Sequence, residues 1–426
     1  MLQGQKYRRI AEDAMDPLTV TAVVFSDGDF DVVLVSVDVV SIPDATMTAI
    51  RERVTSAVPA LSGDQVIVCA THTHSSLVTT PGKYDHPGGD VLTAEESREL
   101  LAVATAGAVE DAVADRGPAD VGRAFGHAVV GHNRYAVYED GHAQMYGNTD
   151  REDFVRIGGY EDHGVDLLFT WADDGTLTGV VIAVPCPSQI DEHSERFTAD
   201  YWHDVRVALR ERFDPELSVL PLCSAAGDQS PHFLLYGEEE REMRNRRGVS
   251  EREEIAARIA HAVERAHASA EPMPTPTVGH RTTTLELDPL RIIESDREAA
   301  RAEYEQVDPA EQSSNWAKRL ERVIADDYTN RGEPVAIEAH QVRIGDLAIG
   351  TNPFELFLDY GLRMKARSPA AQTLTVQLSC GSEGYLPTAA ARERGGYGAT
   401  PPSATVGEAG GRQLVEATLD GFAELF

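Results

Sequence analysis

A mixed α/β fold, in which helices pack on β-sheets, is the architecture that this 426-residue sequence predicts. Apolar runs of strand length alternate along the chain with segments of helical periodicity, which is the pattern of layered helix and sheet. With 42% hydrophobic residues, the chain is also able to bury a large core. We expect a single domain over 1–426, with a helical insertion over 290–333.

The first elements along the chain are a predicted β-hairpin. The runs LTVTAVVF and DVVLVSVDVVS flank the turn signal SDGD. Helical periodicity then predicts helices over 45–58 and 93–114. The later strand-length runs cover 165–171, 179–184, 217–222, 344–350 and 372–379. The later helical segments cover 198–213, 250–270, 296–325, 355–366 and 410–425.

The proline-rich stretch EPMPTPTVG, after residue 270, is the strongest linker candidate. Strand-like sequence and candidate site residues resume beyond it, so we interpret it as a loop within one domain. No internal repeat or low-complexity tract is visible in the sequence.

The charge of the chain excludes several classes of function. A net charge of -32 is unfavourable for binding nucleic acid or an anionic membrane surface. The N-terminus lacks the apolar stretch of a signal peptide, and no window approaches the roughly 18 apolar residues of a membrane span. We therefore expect a soluble, cytoplasmic protein without a stable membrane anchor. Its four cysteines form no CxxC pair and are expected to be reduced thiols.

Unusual polar residues follow five of the predicted strands. They are His72 and His74 after 66–69, Cys186 after 179–184, Asp228 and Ser230 after 217–222, Glu355 after 344–350, and Tyr385 after 372–379. Loops beyond the carboxyl ends of strands are where ligands bind in sheets covered by helices. The sequence therefore predicts one shared site.

Each of these residues alone has an ordinary structural explanation. Two histidines at i and i+2 lie about 6 to 7 Å apart on one face of an extended segment, where they can be merely solvated. GDQSP is compatible with a simple turn, and Glu355 with an acidic first turn of a helix. Tyr385 is compatible with a core position, and Arg134 with a surface ion pair.

Taken in order, the motifs resemble the catalytic domain of the neutral/alkaline (non-lysosomal) ceramidase family. That domain carries THTHSGP, an NRSP arginine, GDVSP, a PGE glutamate and GY(V/I)TT, against THTHSS, HNRYAVY, GDQSP, NPFE and GYLPT here. The likeness extends from Thr19 to the C-terminus. It implies a zinc-dependent hydrolase of amide (N-acyl) bonds, with a neutral-ceramidase-like arrangement of sheets and helices.

The resemblance also implies a role for each matched residue. It implies zinc binding by His72, Glu355 and Tyr385, contact with the substrate carbonyl by His74, and oxyanion stabilisation by Arg134 and Tyr397. Ser230 takes the position of a serine that serves either as nucleophile or, as we prefer, as a substrate-binding group. Asp228 is expected to form the turn or to orient a ligand.

The sequence departs from the family at the second zinc histidine. AVPCPSQ replaces AVHPTS, and Cys186 is the nearest replacement if one residue is gapped. A thiolate binds zinc well. An ungapped comparison places a proline there instead, which leaves Gln189, His193 or no residue as the further ligand.

We also expect no immunoglobulin-like C-terminal domain, and we find no obvious apolar hairpin for extracting a lipid, so ceramide itself is not the expected substrate. We expect a ceramidase-like bacterial branch that acts on a small molecule with an acyl or amide group. Two alternatives remain: an esterase or hydrolase of a small sugar or cyclitol derivative, and a catalytically silent metal- or ligand-binding protein. A homo-oligomer is also compatible with the sequence.

Overall fold

Three β-sheets, each covered by a pair of helices, form the body of the molecule in its computed structural model. The structure describes residues 1–28, 30–274, 276–308, 312, 314–325 and 333–426. The strands are β1 Leu2–Gln3, β2 Val20–Ser26, β3 Asp31–Val37, β4 Val66–Ala70, β5 Ser76–Leu77, β6 Ala119–His127, β7 His132–Asn133, β8 Tyr135–Tyr138, β9 Ala143–Met145, β10 Phe154–Ile157, β11 Gly164–Ala172, β12 Leu177–Val184, β13 Ser218–Cys223, β14 Gln229–Ser230, β15 Val278–Leu287, β16 Val335–Ile344, β17 Leu347–Thr351, β18 Glu355–Leu356, β19 Gln372–Val376 and β20 Tyr385–Leu386.

The helices of the described residues are α1 Asp44–Ala57, α2 Ala94–Ala114, α3 Tyr201–Arg212, α4 Gly237–Arg247, α5 Glu251–His267, α6 Glu294–Tyr304, α7 Asn315–Ala325, α8 Leu358–Arg367, α9 Ala389–Arg394 and α10 Glu408–Leu425. Several begin at side-chain caps. Thr93 and Ser250, for example, each accept a hydrogen bond from the backbone N–H three residues on, at the starts of α2 and α5.

The three sheets are built on the same plan. In each, two antiparallel strands are followed by a helix and a strand parallel to the second one, and a further helix packs on the first helix. The units are β2, β3, α1, β4 and α2; then β11, β12, α3, β13 and α5; then β16, β17, α8, β19 and α10. Strand β6 extends the second sheet and β15 the third.

A shared core joins the three sheets. Alternate residues of one strand face opposite sides of a sheet. On β12, Val181 and Ala183 enter the core that also contains residues of the first and third sheets. Val180 and Ile182 face the other way, into a second cluster with α3 and α5. Each sheet therefore has one face against the other sheets and one against its helices.

This plan brings the strand ends together. The ends of the parallel strands β4, β13, β17 and β19 lead directly into the segments that carry the predicted site residues. The short pairs β7 with β14 and β18 with β20 then fix those segments against each other. The site is thus assembled from all three units.

Most predicted elements are confirmed. The predicted hairpin is β2 with β3, closed by the pair Ser26 and Asp31. The predicted strand 344–350 is wrong in one respect, since Ile344 pairs with Leu347 across a turn that separates β16 from β17. The predicted helix 355–366 starts later, at Leu358, because the segment before it forms β18.

The predicted helix 296–325 consists of two helices, α6 and α7, which pack on each other around Ala300, Leu320 and Val323. Part of the segment 290–333, including 326–332, lies outside the described residues. That the segment is an insertion stays a prediction.

No helix of the described residues is long and apolar enough to span a membrane.

Candidate active site

His72 lies at the centre of the assembled strand ends. It follows β4, is 4% exposed, and has a φ of 64°, in the left-handed region. Its Nδ1 lies 2.6 Å from the carbonyl oxygen of Val40. Its Nε2 lies 3.4 Å from Oε2 of Glu355. The hydrogen bond at Nδ1 fixes the ring and leaves Nε2 facing the carboxylate.

Glu355 and Tyr385 are direct neighbours on the parallel strands β18 and β20. Burial by itself raises the pKa of Glu355, but the charge of His72 and hydrogen bonds from His72 and Tyr385 outweigh it and hold the pKa below its usual value. The three side chains therefore form one buried group with nitrogen and oxygen donors.

His74 stands beside His72, with its ring nearly perpendicular, at 82°. The two Nε2 atoms are 3.3 Å apart. The amide Nε2 of Gln189 lies 2.8 Å from Nε2 of His74, and Oε2 of Glu192 lies 3.6 Å from its Nδ1. Burial, together with the charge of His72, lowers the pKa of His74 well below its usual value. Its imidazole is therefore neutral at pH 7.

Arg134 lies between β7 and β8 and is buried. Its Nη2 donates hydrogen bonds to the hydroxyl of Tyr385 at 3.1 Å and to the carbonyl of Gly227 at 2.8 Å. With the residues that the structure describes, Arg134 forms no surface ion pair, because its guanidinium points into the site.

Tyr397 lies beside Tyr385 in the site. Its ring meets that of Tyr385 edge-on, with centroids 5.4 Å apart. The hydroxyl of Tyr135 donates a hydrogen bond to the backbone carbonyl of Tyr397, which holds the loop in place. On the outer side, the indole of Trp316 lies 5.6 Å from the Tyr397 ring, and Nζ of Lys6 lies 3.5 Å from the Trp316 ring centre.

Ser230 is fully buried behind the site. Its Oγ lies 3.0 Å from the hydroxyl of Tyr146 and accepts a hydrogen bond from the backbone N–H of His232. Among the described residues, no imidazole or carboxylate is hydrogen-bonded to this hydroxyl. The geometry thus offers Ser230 no general base.

Asp228 is a structural residue near this serine. Its Oδ1 accepts a hydrogen bond from the backbone N–H of Leu358, at the start of α8, and its Oδ2 accepts one from Asn133. The carboxylate thereby fixes α8, and with it the nearby Glu355, against β7.

Cys186 lies away from these residues, in the core formed with α3 and α5. Its Sγ faces the backbone carbonyls of Val130 and Pro187, at 3.8 and 3.5 Å. Burial raises the pKa of the thiol well above its usual value. His193 is also apart, with a side chain 71% exposed. Three residues were considered as the further zinc ligand: Cys186, Gln189 and His193. Of these, Gln189 is the one whose side chain reaches the site.

A cleft of about 660 Å³ opens over His74, Arg134, Tyr385 and Tyr397. A second lobe of about 250 Å³ reaches His72 and Glu355 and shares several lining residues with the first. The cleft also contains residues that the sequence analysis missed, namely Lys6, Lys83, Tyr146, Glu192, Trp316 and Arg319. A usable signal was the scarcity of lysine, since two of the chain's four lysines lie here.

A different group has the residue types of a metal site. Among the described residues, Glu338, His340 and Cys380 place their ligand atoms within 4.8 Å of one another. Arg51, however, donates hydrogen bonds to both oxygens of Glu338, at 2.6 and 2.9 Å, and one Nη lies 3.9 Å from the sulfur of Cys380. The guanidinium already supplies the positive charge that a metal ion would bring.

The overall fold is similar to that of solved structures, whereas the sequence comparisons find no match. No family model matches the sequence, and no curated protein matches it. Among solved structures, the neutral ceramidase from Pseudomonas aeruginosa superposes with a TM-score of 0.69 at 15% identity, over 100% of this chain and 72% of that one. A structure described as ceramidase complexed with C2 gives 0.69 at 12% identity, over 99% and 71%.

The fold and the site define a mixed α/β protein with a polar cleft at the strand ends of three sheets. More particularly, the chain has the neutral-ceramidase fold, as its motifs predicted. At these identities the likeness concerns the fold.

Proposed function

We propose that this protein is a zinc-dependent hydrolase that cleaves the amide bond of an N-acyl compound. The observation that carries the proposal is the buried convergence of His72, Glu355 and Tyr385 below an open cleft. The neutral-ceramidase fold supports the same reaction class.

The donor set fits zinc. Catalytic zinc sites use three protein ligands, with bonds of about 2.0 to 2.2 Å to nitrogen and oxygen. Neighbouring ligands at tetrahedral angles are then roughly 3.3 Å apart, and Nε2 of His72 lies 3.4 Å from Oε2 of Glu355. The hydrogen bond from Nδ1 of His72 to a backbone carbonyl is the usual support of a zinc histidine.

In this proposal His72, Glu355 and Tyr385 would hold the metal without Cys186. A zinc ion bound there would supply Lewis-acid activation for a water molecule and for the substrate carbonyl. Hydrolysis adds that water across the C–N bond, so that the acyl carbon gains the hydroxyl group and the leaving nitrogen gains the proton.

The remaining residues act on the proton and the developing charge. His74 is neutral, so it accepts the proton of the water and passes it to the leaving nitrogen, while Glu192 stabilises the transient imidazolium. Arg134 cannot lose its proton, and with the hydroxyl of Tyr397 it stabilises the negative charge on the acyl oxygen. Ser230 acts indirectly, by holding the hydroxyl of Tyr146.

Metal analysis tests the assignment. Purified wild-type protein is expected to contain about one zinc ion per chain, and H72A and E355Q are expected to lose it. C186A and H340A are the matched controls and are expected to retain zinc. If H72A retained zinc and H340A lost it, the metal would be bound by Glu338, His340 and Cys380. That result would overturn the proposal.

A substrate panel tests the reaction. N-acyl amides, O-acyl esters and glycosides of sugars or cyclitols are incubated with the zinc-loaded protein. Turnover of the amides, lost in H72A, is the expected result. Turnover of the esters or glycosides alone would reject the amidase, and no turnover together with no bound zinc would favour a silent binding protein.

A further inference from the structure

The cleft concentrates positive charge in a strongly acidic protein. The chain carries a net charge of -32, yet Lys6, Lys83, Arg134 and Arg319 all line the same cleft. The chain has four lysines, and two of them lie in this cleft. The charge pattern therefore points to a ligand of opposite sign.

Two of these cations have no anionic partner in the described part of the chain. Nζ of Lys83 has no carboxylate within 4.0 Å and no hydrogen-bond acceptor there, and Arg319 has only a 3.5 Å contact to the backbone carbonyl of Pro402. The contrast is Lys365, which is held by Asp166 at 2.7 Å and Asp162 at 3.2 Å. An ammonium group that is partly removed from water without a partner costs free energy, which a bound anion offsets.

Three of the four acidic residues that line the cleft are engaged elsewhere. Glu192 faces His74 and also accepts a hydrogen bond from Gln5. Glu303 accepts the indole N–H of Trp316. Glu355 is paired with His72. The fourth, Glu383, lines the second lobe, and burial together with the charge of Asp44 raises the pKa of its carboxyl to about 7. None of these four carboxylates of the described lining lies within ion-pair distance of Lys83 or Arg319.

Lys83 and Arg319, which have no anionic partner among the described residues, lie close to the residues assigned to the reaction. Lys83 and Arg319 line both lobes of the cleft, together with His74, Tyr385 and Tyr397. An anionic group bound there is adjacent to the residues assigned to the acyl carbon. Resting on the proposed amidase function, we propose that the substrate is an N-acyl compound that carries an anionic group close to its amide bond, bound by Lys83 and Arg319.

The test compares matched ligands that differ only in this charge. N-octanoylglycine is set against the uncharged N-octanoylglycinamide, and N-octanoyl phosphoethanolamine against N-octanoyl ethanolamine, so that carboxylate and phosphate are distinguished. We expect at least one anionic member to have a kcat/KM about ten-fold or more above its neutral partner, as for a charge-assisted hydrogen bond. Equal use of both members of each pair would overturn the proposal.

The variants K83Q and R319Q locate the anion site. Each is expected to reduce the preference for the anionic substrate about ten-fold while sparing the neutral one. The control is K318Q, which removes the same charge from an exposed position on α7 next to Arg319 and is expected to change nothing. If K83Q and R319Q lower both substrates equally, the two cations do not bind the anion and the proposal fails.

A binding measurement separates this proposal from the amidase function. N-octanoylglycine, N-octanoyl phosphoethanolamine and their two neutral partners are titrated into the wild type and the variants by calorimetry, without turnover as a readout. If no N-acyl compound is cleaved but one anionic ligand still binds and K83Q and R319Q abolish that binding, the anion site stands and the amidase proposal falls. If neither ligand binds better than its neutral partner, the anion site falls.

Discussion

Two residues of the candidate site have backbone conformations that side chains rarely adopt. His72 and Tyr146 have φ values of 64° and 52°. A non-glycine residue in the left-handed region costs of order 1 to 3 kcal/mol and persists where surrounding contacts impose it. Here the Val40 carbonyl holds His72 and the Arg134 carbonyl accepts the N–H of Tyr146. The conformation turns both side chains toward the cleft.

The role of Ser230 can be decided at the level of one atom. Its hydroxyl bonds to Tyr146 and has no base beside it in the described structure. We expect S230A to lower kcat on the best substrate of the panel by about ten-fold, the effect of one lost hydrogen bond, and Y146F to match it. Because both variants break the same bond, S230A/Y146F is expected to be no worse than either single variant. A loss of about 10⁴-fold or more in S230A would instead indicate a nucleophile.

Asp200 makes stability depend on pH. Its carboxylate caps α3 and accepts hydrogen bonds from the N–H groups of Tyr201 and Asp191. These bonds favour the charged form, but burial outweighs them and raises the pKa to about 6. The folded state therefore holds this proton more tightly than the unfolded state, and the stability so gained is lost as pH rises from about 4 to about 6.

The variant D200N lacks this titration. Urea unfolding at several pH values is expected to show the wild type losing stability relative to D200N across that interval, by about 3 kcal/mol at ~1.4 kcal/mol per pKa unit. The comparison cancels all other titrating groups. A constant difference between the two proteins from pH 4 to 6.5 would contradict the raised pKa.

At the level of elements, a buried ion pair ties helix α3 to Asp38, the residue that directly follows strand β3. The two terminal nitrogens of the Arg206 guanidinium, Nη1 and Nη2, donate hydrogen bonds to the carboxylate of Asp38 at 2.8 and 3.1 Å, and both side chains are less than 5% exposed. Asp38 also accepts the hydroxyl of Thr71, the residue before His72. The pair thus links two units of the fold and supports the loop that carries His72.

Breaking this pair is expected to be costly. R206M leaves Asp38 buried without its partner, for which about 3 to 5 kcal/mol of unfolding free energy is typical. The control R212M lies on the same helix, where Arg212 makes a loose contact of 3.9 Å with the exposed Glu264, and is expected to change stability by less than about 0.5 kcal/mol. Urea unfolding measures both. Equal effects of the two variants would show that the Arg206 pair is not specially stabilising.

At the level of the whole molecule, three units of the same topology share one core without a visible sequence repeat. Burial requires only apolar residues at alternate strand positions, so very different sequences satisfy the same plan. The shared topology of the three units was therefore invisible in the sequence. Functionally it matters, because each unit contributes a strand end to the cleft.

The sequence by itself determined the local elements and the ordered motifs. The hairpin of β2 and β3, helices such as α1 and α10, and the residues that gather at the site followed from periodicity, turn signals and resemblance, because those depend on neighbours along the chain. Glu355 shows what sequence patterns could not predict. Its position suggested the first turn of a helix, but pairing with Tyr385, 30 residues away, places it in a strand.

Only the tertiary structure decided which chemical groups meet. It separated Cys186 from the site, set Gln189 beside His74, and brought Lys83 and Arg319, more than 230 residues apart, into one cleft. Such contacts depend on the packing of whole sheets and on which face of each strand is buried. No local pattern encodes them, because a side chain's charge and donors are read from the sequence but its neighbours are set by the fold.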